Sequence, residues 1–393
     1  MGRMIGRIRT VLTTLGVSLR VRRLLTAGAL GSLLAIAGFG YPIASAAPVI
    51  SGYAPVLSPL LNVTDGMIRT FQATAQPTGA SSRGVLTVER YRRGQWRSIP
   101  VVELPGMNIS ALAAVCNSGQ CLTAVETDPV WSRTEPFSLS VYRHQMKRPG
   151  WHRVWQLRLP AGVGAGQIML AQSGSLVWLL VDGTPSASIM PKVLYLSRND
   201  GLHWTAFATQ GAGPSSAITL PDGYPTGITA LRGSQLIMTV DTGTSTLPAA
   251  VEYRANPPHR RSLSLSLPSG AGLIDPFPAV TRTTTVAIPA KIVSTTGSTW
   301  FGWFTKEGSR WVFHRLTIAL ESSELSGHST AVFWNAHAIH VVALSHAVVN
   351  LRLPPAYGRA IAVAVVAPNR VMVLTTHHAV WISTSHHTWT HLN

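Results

Sequence analysis

A Leu-Pro step returns along this chain at Leu104-Pro105, Leu159-Pro160, Leu220-Pro221, Leu267-Pro268 and Leu353-Pro354. Several steps follow an aromatic residue and a short apolar run: Trp96 precedes the first, Trp155 the second and Trp204 the third. After a step comes a Gly-containing loop and a pair of strand-like runs, as in Gln167 to Ala171 with Leu176 to Val181, or Gly227 to Leu231 with Gln235 to Val240. Recurrence at a fixed period constrains a fold more than any single segment, because each unit must be one supersecondary element buried by its neighbours. Past residue 60 no amphipathic helix is legible. Runs of Val, Leu, Ile, Thr and aromatics alternate with Gly, Pro, Ser and Asn clusters, so the class is all-β.

The third unit is the clearest. Val193 to Leu196 leads into Ser197-Arg198-Asn199-Asp200-Gly201-Leu202-His203-Trp204 and then Thr205-Ala206-Phe207. An Asn or Asp side chain can bond nearby backbone, Gly permits a positive φ, and Trp can pack across a hairpin. Degraded versions stand at Arg92-Arg93-Gly94-Gln95-Trp96, Lys147 to Trp151, Lys306 to Trp311 and Thr384 to Trp389. Turns at Asn256-Pro257-Pro258 and near Ser345-His346 fill the gaps without Trp. Units of about 50 residues suit four-stranded propeller blades. The expectation is a β-propeller of about seven four-stranded blades, with six or eight allowed. A β-sandwich pair or an irregular double barrel competes.

The pattern Ser197, Asn199, Asp200, Gly201, Trp204 resembles the Asp-box, or BNR repeat, of sialidase-like and sortilin-like propellers, with Asn199 in the first acidic place. The resemblance covers roughly 60–393 as architecture. In that superfamily the box is structural and lies away from the usual active face.

The N-terminus carries Arg3, Arg7, Arg9, Arg20, Arg22 and Arg23, and no acidic residue precedes Asp65. Leu24 to Gly40 is uncharged, Tyr41-Pro42 breaks it, and Ala44-Ser45-Ala46 offers a small-residue cleavage site. Basic, apolar, small is the order of an export signal. The 17 apolar residues also reach the lower edge of spanning length, so an uncleaved anchor is the rival. The expected organisation is a signal peptide or signal-anchor helix over 1–46, a linker over 47–60 and the propeller over 61–393. Localisation is expected to be extracytoplasmic, secreted or tethered by that N-terminal segment.

Two cysteines, Cys116 and Cys121, enclose Asn117-Ser118-Gly119-Gln120 between strand-like runs. A loop of this length brings the thiols across a hairpin, and an oxidising compartment makes a disulfide the expected state. Similar short cysteine loops occur in exported bacterial BNR-like propellers.

Charge narrows the partners. There are 32 Lys+Arg against 15 Asp+Glu, for a net charge of +17. The basic residues are scattered, which argues against a nucleic-acid partner and for an anionic envelope surface or an acidic exterior. A sialidase-like reaction would need an arginine triad, a Tyr with its Glu partner, and an Asp acid/base. Arg97-Ser98-Ile99-Pro100 departs from the family's R-I-P step, and Arg158-Leu159-Pro160 and Arg352-Leu353-Pro354 belong to the repeat. The early carboxylates Asp65, Glu103, Glu126, Asp128 and Glu135 sit in no motif. Ten of 14 histidines lie from His314 onward, including His377-His378, His386-His387 and His391, at spacings that match no metal site. His337 and His340 are expected on opposite faces of one strand. No catalytic set, cofactor or metal ligand is therefore expected. The reading is an exported or membrane-tethered non-catalytic propeller, a binding or scaffold module for a protein or polysaccharide at the cell envelope. The alternative is a sialidase-like glycoside hydrolase acting on envelope or extracellular glycans. A photosystem-assembly-like propeller, which shares the repeat, is a third.

Overall fold

In a computed structural model the described residues run from 53 to 392. Breaks fall at 64–65, 76–82, 93–94, 106, 117–118, 130–136, 146–149, 160–162, 164, 184–189, 212–213, 244–248, 283–284, 317–329, 344–347, 368–369, 378 and 384–387. The expected signal or anchor over 1–46, with Ala46 at its end, lies outside them. Among the described residues no helix is long and apolar enough to cross a membrane.

The described strands form seven sheets, each from one continuous stretch of chain apart from a short added edge. The first holds β1 (Tyr53–Val63), β2 (Gly66–Ala75), β3 (Arg83–Arg92) and β4 (Gln95–Pro105). The second holds β5 (Met107–Cys116), β6 (Gln120–Pro129), β7 (Ser138–Gln145) and β8 (His152–Arg158). The third holds β9 (Ala165–Ser173), β10 (Leu176–Gly183), β11 (Lys192–Ser197) and β12 (Thr205–Gln210). The fourth holds β13 (Tyr224–Leu231), β14 (Gln235–Asp241), β15 (Ala250–Ala255) and β16 (Pro258–Ser262).

In the fifth sheet the first strand is interrupted into β18 (Ala271–Pro276) and β19 (Val280–Arg282), both paired to β20 (Thr285–Ser294). Then come β21 (Thr299–Glu307) and β22 (Arg310–Leu316), with β17 (Leu265–Ser266) added parallel to β22 at the outer edge. The sixth shows β23 (Thr330–Trp334), β24 (Ala338–Ala343) and β25 (Val348–Arg352). The seventh shows β26 (Ala360–Ala367), β27 (Arg370–Thr375), β28 (Val380–Ser383) and β29 (Trp389–Leu392). Apart from β17, every pairing within a sheet is antiparallel, as short hairpin connections require.

Successive sheets touch in turn, through their first strands except where β14 meets β18. β1 meets β5, β5 meets β9 and β9 meets β13; β14 meets β18, β19 meets β23, β23 meets β26, and β26 returns to β1. That closure excludes the sandwich and the double barrel. The arrangement is a β-propeller.

Sheet-on-sheet packing makes the core. On β10, Val177, Leu179 and Val181 pack toward the second sheet with Leu122, Ala124, Leu139 and Val141. The alternate residues Trp178 and Leu180 pack toward the fourth sheet with Leu236, Met238, Val251 and Tyr253. A middle strand is thus covered on both faces. It reads in sequence as a continuous apolar run because neither parity faces water.

Four of the five Leu-Pro steps mark where the chain leaves one sheet for the next, whereas Leu267-Pro268 follows β17 within the fifth sheet. Leu159 N donates to Phe137 O at 2.8 Å and Leu353 N to His337 O at 2.8 Å, each adding a last rung to its ladder. The following proline has no N–H and cannot add another. Leu159, Leu220 and Leu353 are buried, so the step also anchors the crossing segment.

Two boundaries differ from expectation. β1 starts at Tyr53, inside the stretch expected as linker, and carries Pro55 and Pro59 with a register irregularity between Leu57 and Leu60. Pro59 falls in that irregularity, where the ladder to β2 already lapses, whereas Pro55 lies in register opposite Ala73. The Ser345-His346 turn lies outside the described residues, between the second and third described strands of its sheet rather than before a fourth.

Two neighbouring sheets approach closely at Gly227 on β13. A Cβ there would overlap the ring of Pro278, between β18 and β19, and stand 2.8 Å from Pro278 Cα. Gly227→Ala is expected to lower unfolding free energy by about 1–3 kcal/mol through overpacking. Urea denaturation measures this, and an unchanged midpoint would contradict the contact between these sheets.

Candidate functional site

In each four-stranded meander the turns joining strands one to two and three to four lie at one end. The two-to-three connections and the crossings to the next sheet lie at the other. The Ser197–Trp204 turn, between β11 and β12, belongs to the first end. Ser197 Oγ accepts from Gly201 N at 3.0 Å and donates to Asn199 Oδ1 at 3.0 Å. Asn199 Oδ1 also accepts from His203 N at 2.9 Å, and Trp204 Nε1 donates to Gly201 O at 2.9 Å. Asp200 and Gly201 both take positive φ, 57° and 81°. Gly meets that demand without strain, and Asp is among the few residues that tolerate it. Asp200 Oδ1 accepts from Gln120 Nε2 at 3.1 Å, and the Trp204 ring lies 5.7 Å from that of Trp155. All these contacts are internal, so the turn joins the second and third sheets.

The other Trp turns fall at the matching place. Trp151, Trp311 and Trp389 are buried at the starts of β8, β22 and β29. Trp389 Nε1 reaches back to Arg352 O on the preceding sheet at 2.9 Å.

The register sets Cys116 directly opposite Cys121 across β5 and β6, and Cys121 is buried. This hairpin lies at the box-turn end, where its Gln120 meets Asp200.

The opposite end holds a feature that no motif announced. Asp182 closes β10 and Lys192 opens β11, paired in register, and both are buried. Lys192 Nζ donates to Pro221 O at 2.8 Å and Gly223 O at 2.7 Å, tying the third sheet to the segment that starts the fourth. Asp182 Oδ1 accepts from Gln167 N, and the absent Cβ of Gly166 makes room for that carboxylate.

Burial drives both groups toward their neutral forms. It pushes Asp182 up to about 7 against the opposing effects of the Gln167 bond and Lys192. It pulls Lys192 down to about 8 against the attraction of Asp182 and Asp222. Around the pair, Gln210 Nε2 donates to Asp222, Asp241 Oδ1 accepts from Gly243 N at 2.9 Å, and Tyr224 is 45% exposed. A carboxyl this deep is out of reach of a substrate in the solvent, and the amine is held by two carbonyls. The pair is a tie between sheets. The exposed Tyr224 and Asp222 could contact a ligand at that rim.

The other sequence candidates are dispersed. Glu126 is buried on β6, Glu103 and Asp128 lie on β4 and β6, and Asp65 and Glu135 fall outside the described residues. Arg97 lies on β4, a fourth strand, whereas Arg158 and Arg352 end β8 and β25. His337 precedes β24 rather than lying on it, and His340 pairs with Asn350 Oδ1 at 2.6 Å. His377 follows β27 and His391 packs on Trp381, while His378, His386 and His387 lie outside the described residues. Among the described residues no three His, Cys, Asp or Glu side chains gather to hold a metal ion.

No family model matches the chain, and no curated protein matches it. Solved structures of weak overall likeness include YCF48 bound to D1 peptide, with 14% identity over 75% of this chain and 87% of that one, at a TM-score of 0.40. Another is an α-L-arabinanase of Penicillium chrysogenum, with 14% identity, 72% and 80% coverage, and a TM-score of 0.39. A protein of unknown function from Dyadobacter fermentans shows 10% identity, 87% and 94% coverage, and a TM-score of 0.40. Likeness at this level carries nothing about ligand or reaction.

Asp182 binds its proton more tightly in the fold than in the unfolded chain, so its contribution is complete below its ordinary value of 3.8 and is lost as pH rises through about 7. Lys192 is shifted down, so its contribution is lost as pH falls from its ordinary 10.5 through about 8, above that window. Stability is therefore expected to rise by about 1–3 kcal/mol between about pH 7.5 and pH 4.5. In Asp182→Asn, which keeps an acceptor for Gln167, that rise should flatten. Urea titrations at both pH values check it; an equal rise in the variant would assign the effect elsewhere.

Proposed function

We propose that this chain is an exported or membrane-tethered, seven-bladed Asp-box-like propeller that binds an anionic polysaccharide at the cell envelope without transforming it. One observation supports the reading. Several of the described acidic side chains are held in contacts within the fold, whereas many of the described arginines face solvent, with Lys192 a buried exception. Asp182 and Glu252 are buried in polar contacts, Asp200 is held by Gln120, and Asp222 accepts from Gln210. Asp275 lies 3.8 Å from Lys291, and Glu307 lies 3.1 Å from His314. By contrast Arg153, Arg158, Arg198, Arg232, Arg260 and Arg261 are exposed, several on fourth strands at the rim of the disc. Among the described residues, positive charge is thus presented outward, where it attracts polyanions and repels cations.

The reading is tested by retention of the 47–393 fragment on isolated envelope polysaccharide at neutral and acidic pH. Retention should weaken steeply with added salt, because the contacts exchange with counterions. No retention under either condition would overturn it, and release of reducing sugar during the incubation would favour the glycoside hydrolase instead.

The Cys116–Cys121 disulfide belongs to the same proposal, since export supplies the oxidising compartment. Thiol titration of the denatured exported protein should find no free thiol until a reductant is added. Replacing both cysteines by Ser should cost no more than about 3 kcal/mol, because the closed loop is short.

A further inference from the structure

The box-turn end of the fourth sheet gathers more positive charge than its one carboxylate balances. Glu252 on β15 is buried, accepting from Arg254 Nε at 3.1 Å and from Arg261 Nη2. Both guanidiniums remain open to solvent, with side chains 40% and 52% exposed. With its amide oxygen turned toward Arg254, Gln235 accepts from Nε at 3.0 Å and Nη2 at 3.1 Å. The register sets Arg261 opposite Glu252 and His259 opposite Arg254, so these four residues share one face of the β15–β16 pair.

Two neighbours add to the charge. Arg198 leaves the Ser197–Trp204 turn of the third sheet and donates to Ala255 O, at the end of β15, at 2.7 Å. Arg232 is exposed in the turn before β14, next to Ser234, whose carbonyl accepts from Ala255 N at 2.9 Å. On the other face of β16, Arg260 donates to Thr219 Oγ1 at 3.2 Å. Asp200, in the same turn as Arg198, is held by Gln120 on the second sheet.

Charged edge strands commonly guard a sheet against strand addition. That accounts for arginines on β16. It does not account for a buried carboxylate holding two guanidiniums in fixed orientation, nor for a third arginine pinned across the gap between sheets. Burial raises the proton affinity of Glu252, but the hydrogen bonds and charges of Arg254 and Arg261 outweigh it and hold the carboxyl below its ordinary value. It therefore stays ionised and keeps the two forks in place.

We propose that Arg254 and Arg261, on the face of the fourth sheet turned away from the third, form with the flanking Arg198 and Arg232 at the box-turn end of that sheet a binding site for the carboxylate, sulfate or phosphate groups of a linear anionic polysaccharide. The proposal rests on the envelope-binding reading and names its site. Guanidinium forks suit such groups because they donate two parallel N–H bonds to paired oxygens, and prior ordering lowers the entropy cost of binding. A lipid surface fits less well, since it calls for an apolar wedge beside the charge. The large exposed hydrophobics among the described residues are Leu202, 37% exposed in this turn, and Tyr224, 45% exposed at the opposite end of the sheets, so no contiguous apolar wedge lies beside the arginines.

The test uses the full chain purified in a non-ionic detergent. Its probes are heparin and polygalacturonate, with dextran as neutral control and phosphatidylglycerol vesicles as the lipid arm. Arg254→Lys with Arg261→Lys keeps the charge around Glu252 but removes the forks, and should weaken binding to both polyanions by about tenfold. Arg198→Gln with Arg232→Gln leaves the Glu252 pairs intact, so folding is spared, and should weaken it by about as much. Arg310→Lys with Arg315→Lys, on the fifth sheet, should change it by less than about twofold. Equal losses in all three variants, or none in the first two, would overturn the site while leaving polysaccharide binding standing. Vesicle binding without polymer binding would overturn it in favour of lipid. Failure of the parent chain to bind either polyanion would sink the envelope reading itself.

Discussion

Coverage of both faces of the middle strands, as on β10, is the constraint on which this structure depends. A single four-stranded meander has two apolar faces and cannot hide either alone. Stacking meanders side by side hides both, but leaves the outer faces of the first and last sheets bare. Contact of β26 with β1 removes that problem by closing the ring. Closure uses no strand shared between the first and last sheets, since β1 to β4 and β26 to β29 each form a sheet from one stretch.

Given that architecture, polar groups have few places to go. Within the sheets they must be hydrogen-bonded, as Asp182 is to Gln167 and Lys192 to Pro221 and Gly223, because an unpaired charge at that depth would cost several kcal/mol. Lys192 reaches two backbone carbonyls of the segment leading into the next sheet, which would otherwise need another donor. The same economy operates at the box-turn end, where Gln120, Asp200, Arg198 and Trp389 bond to the neighbouring sheet. The inter-sheet surfaces are thus apolar in the middle and hydrogen-bonded at both ends.

This distribution explains how so few acidic residues suffice. They are spent where a carboxylate orders a turn or a pair of cations, and the solvent face is left to arginine. A rim of that kind keeps the disc soluble and discourages edge pairing. On the fourth sheet, Glu252 and Gln235 hold two of those guanidiniums in place.

The amino-acid sequence alone determined the class and the period. Leu-Pro steps end ladders because proline lacks a donor, and Gly with Trp marks the third hairpin turn because one residue opens φ and the other covers the bend. Those are local effects, legible within a few residues. The strand β1 was not legible, because Pro55 and Pro59 read as linker, whereas the fold pairs that strand with β2. The partners of the charged residues were not legible either. Asp200 meets Gln120 from 80 positions away, and Arg198 meets Ala255 from 57. Asp182 and Glu252 sit in no motif, and register and sheet packing alone set their environments. Tertiary structure decided which charges are buried and which face water, because burial is a property of neighbours that the chain brings together only when the ring closes.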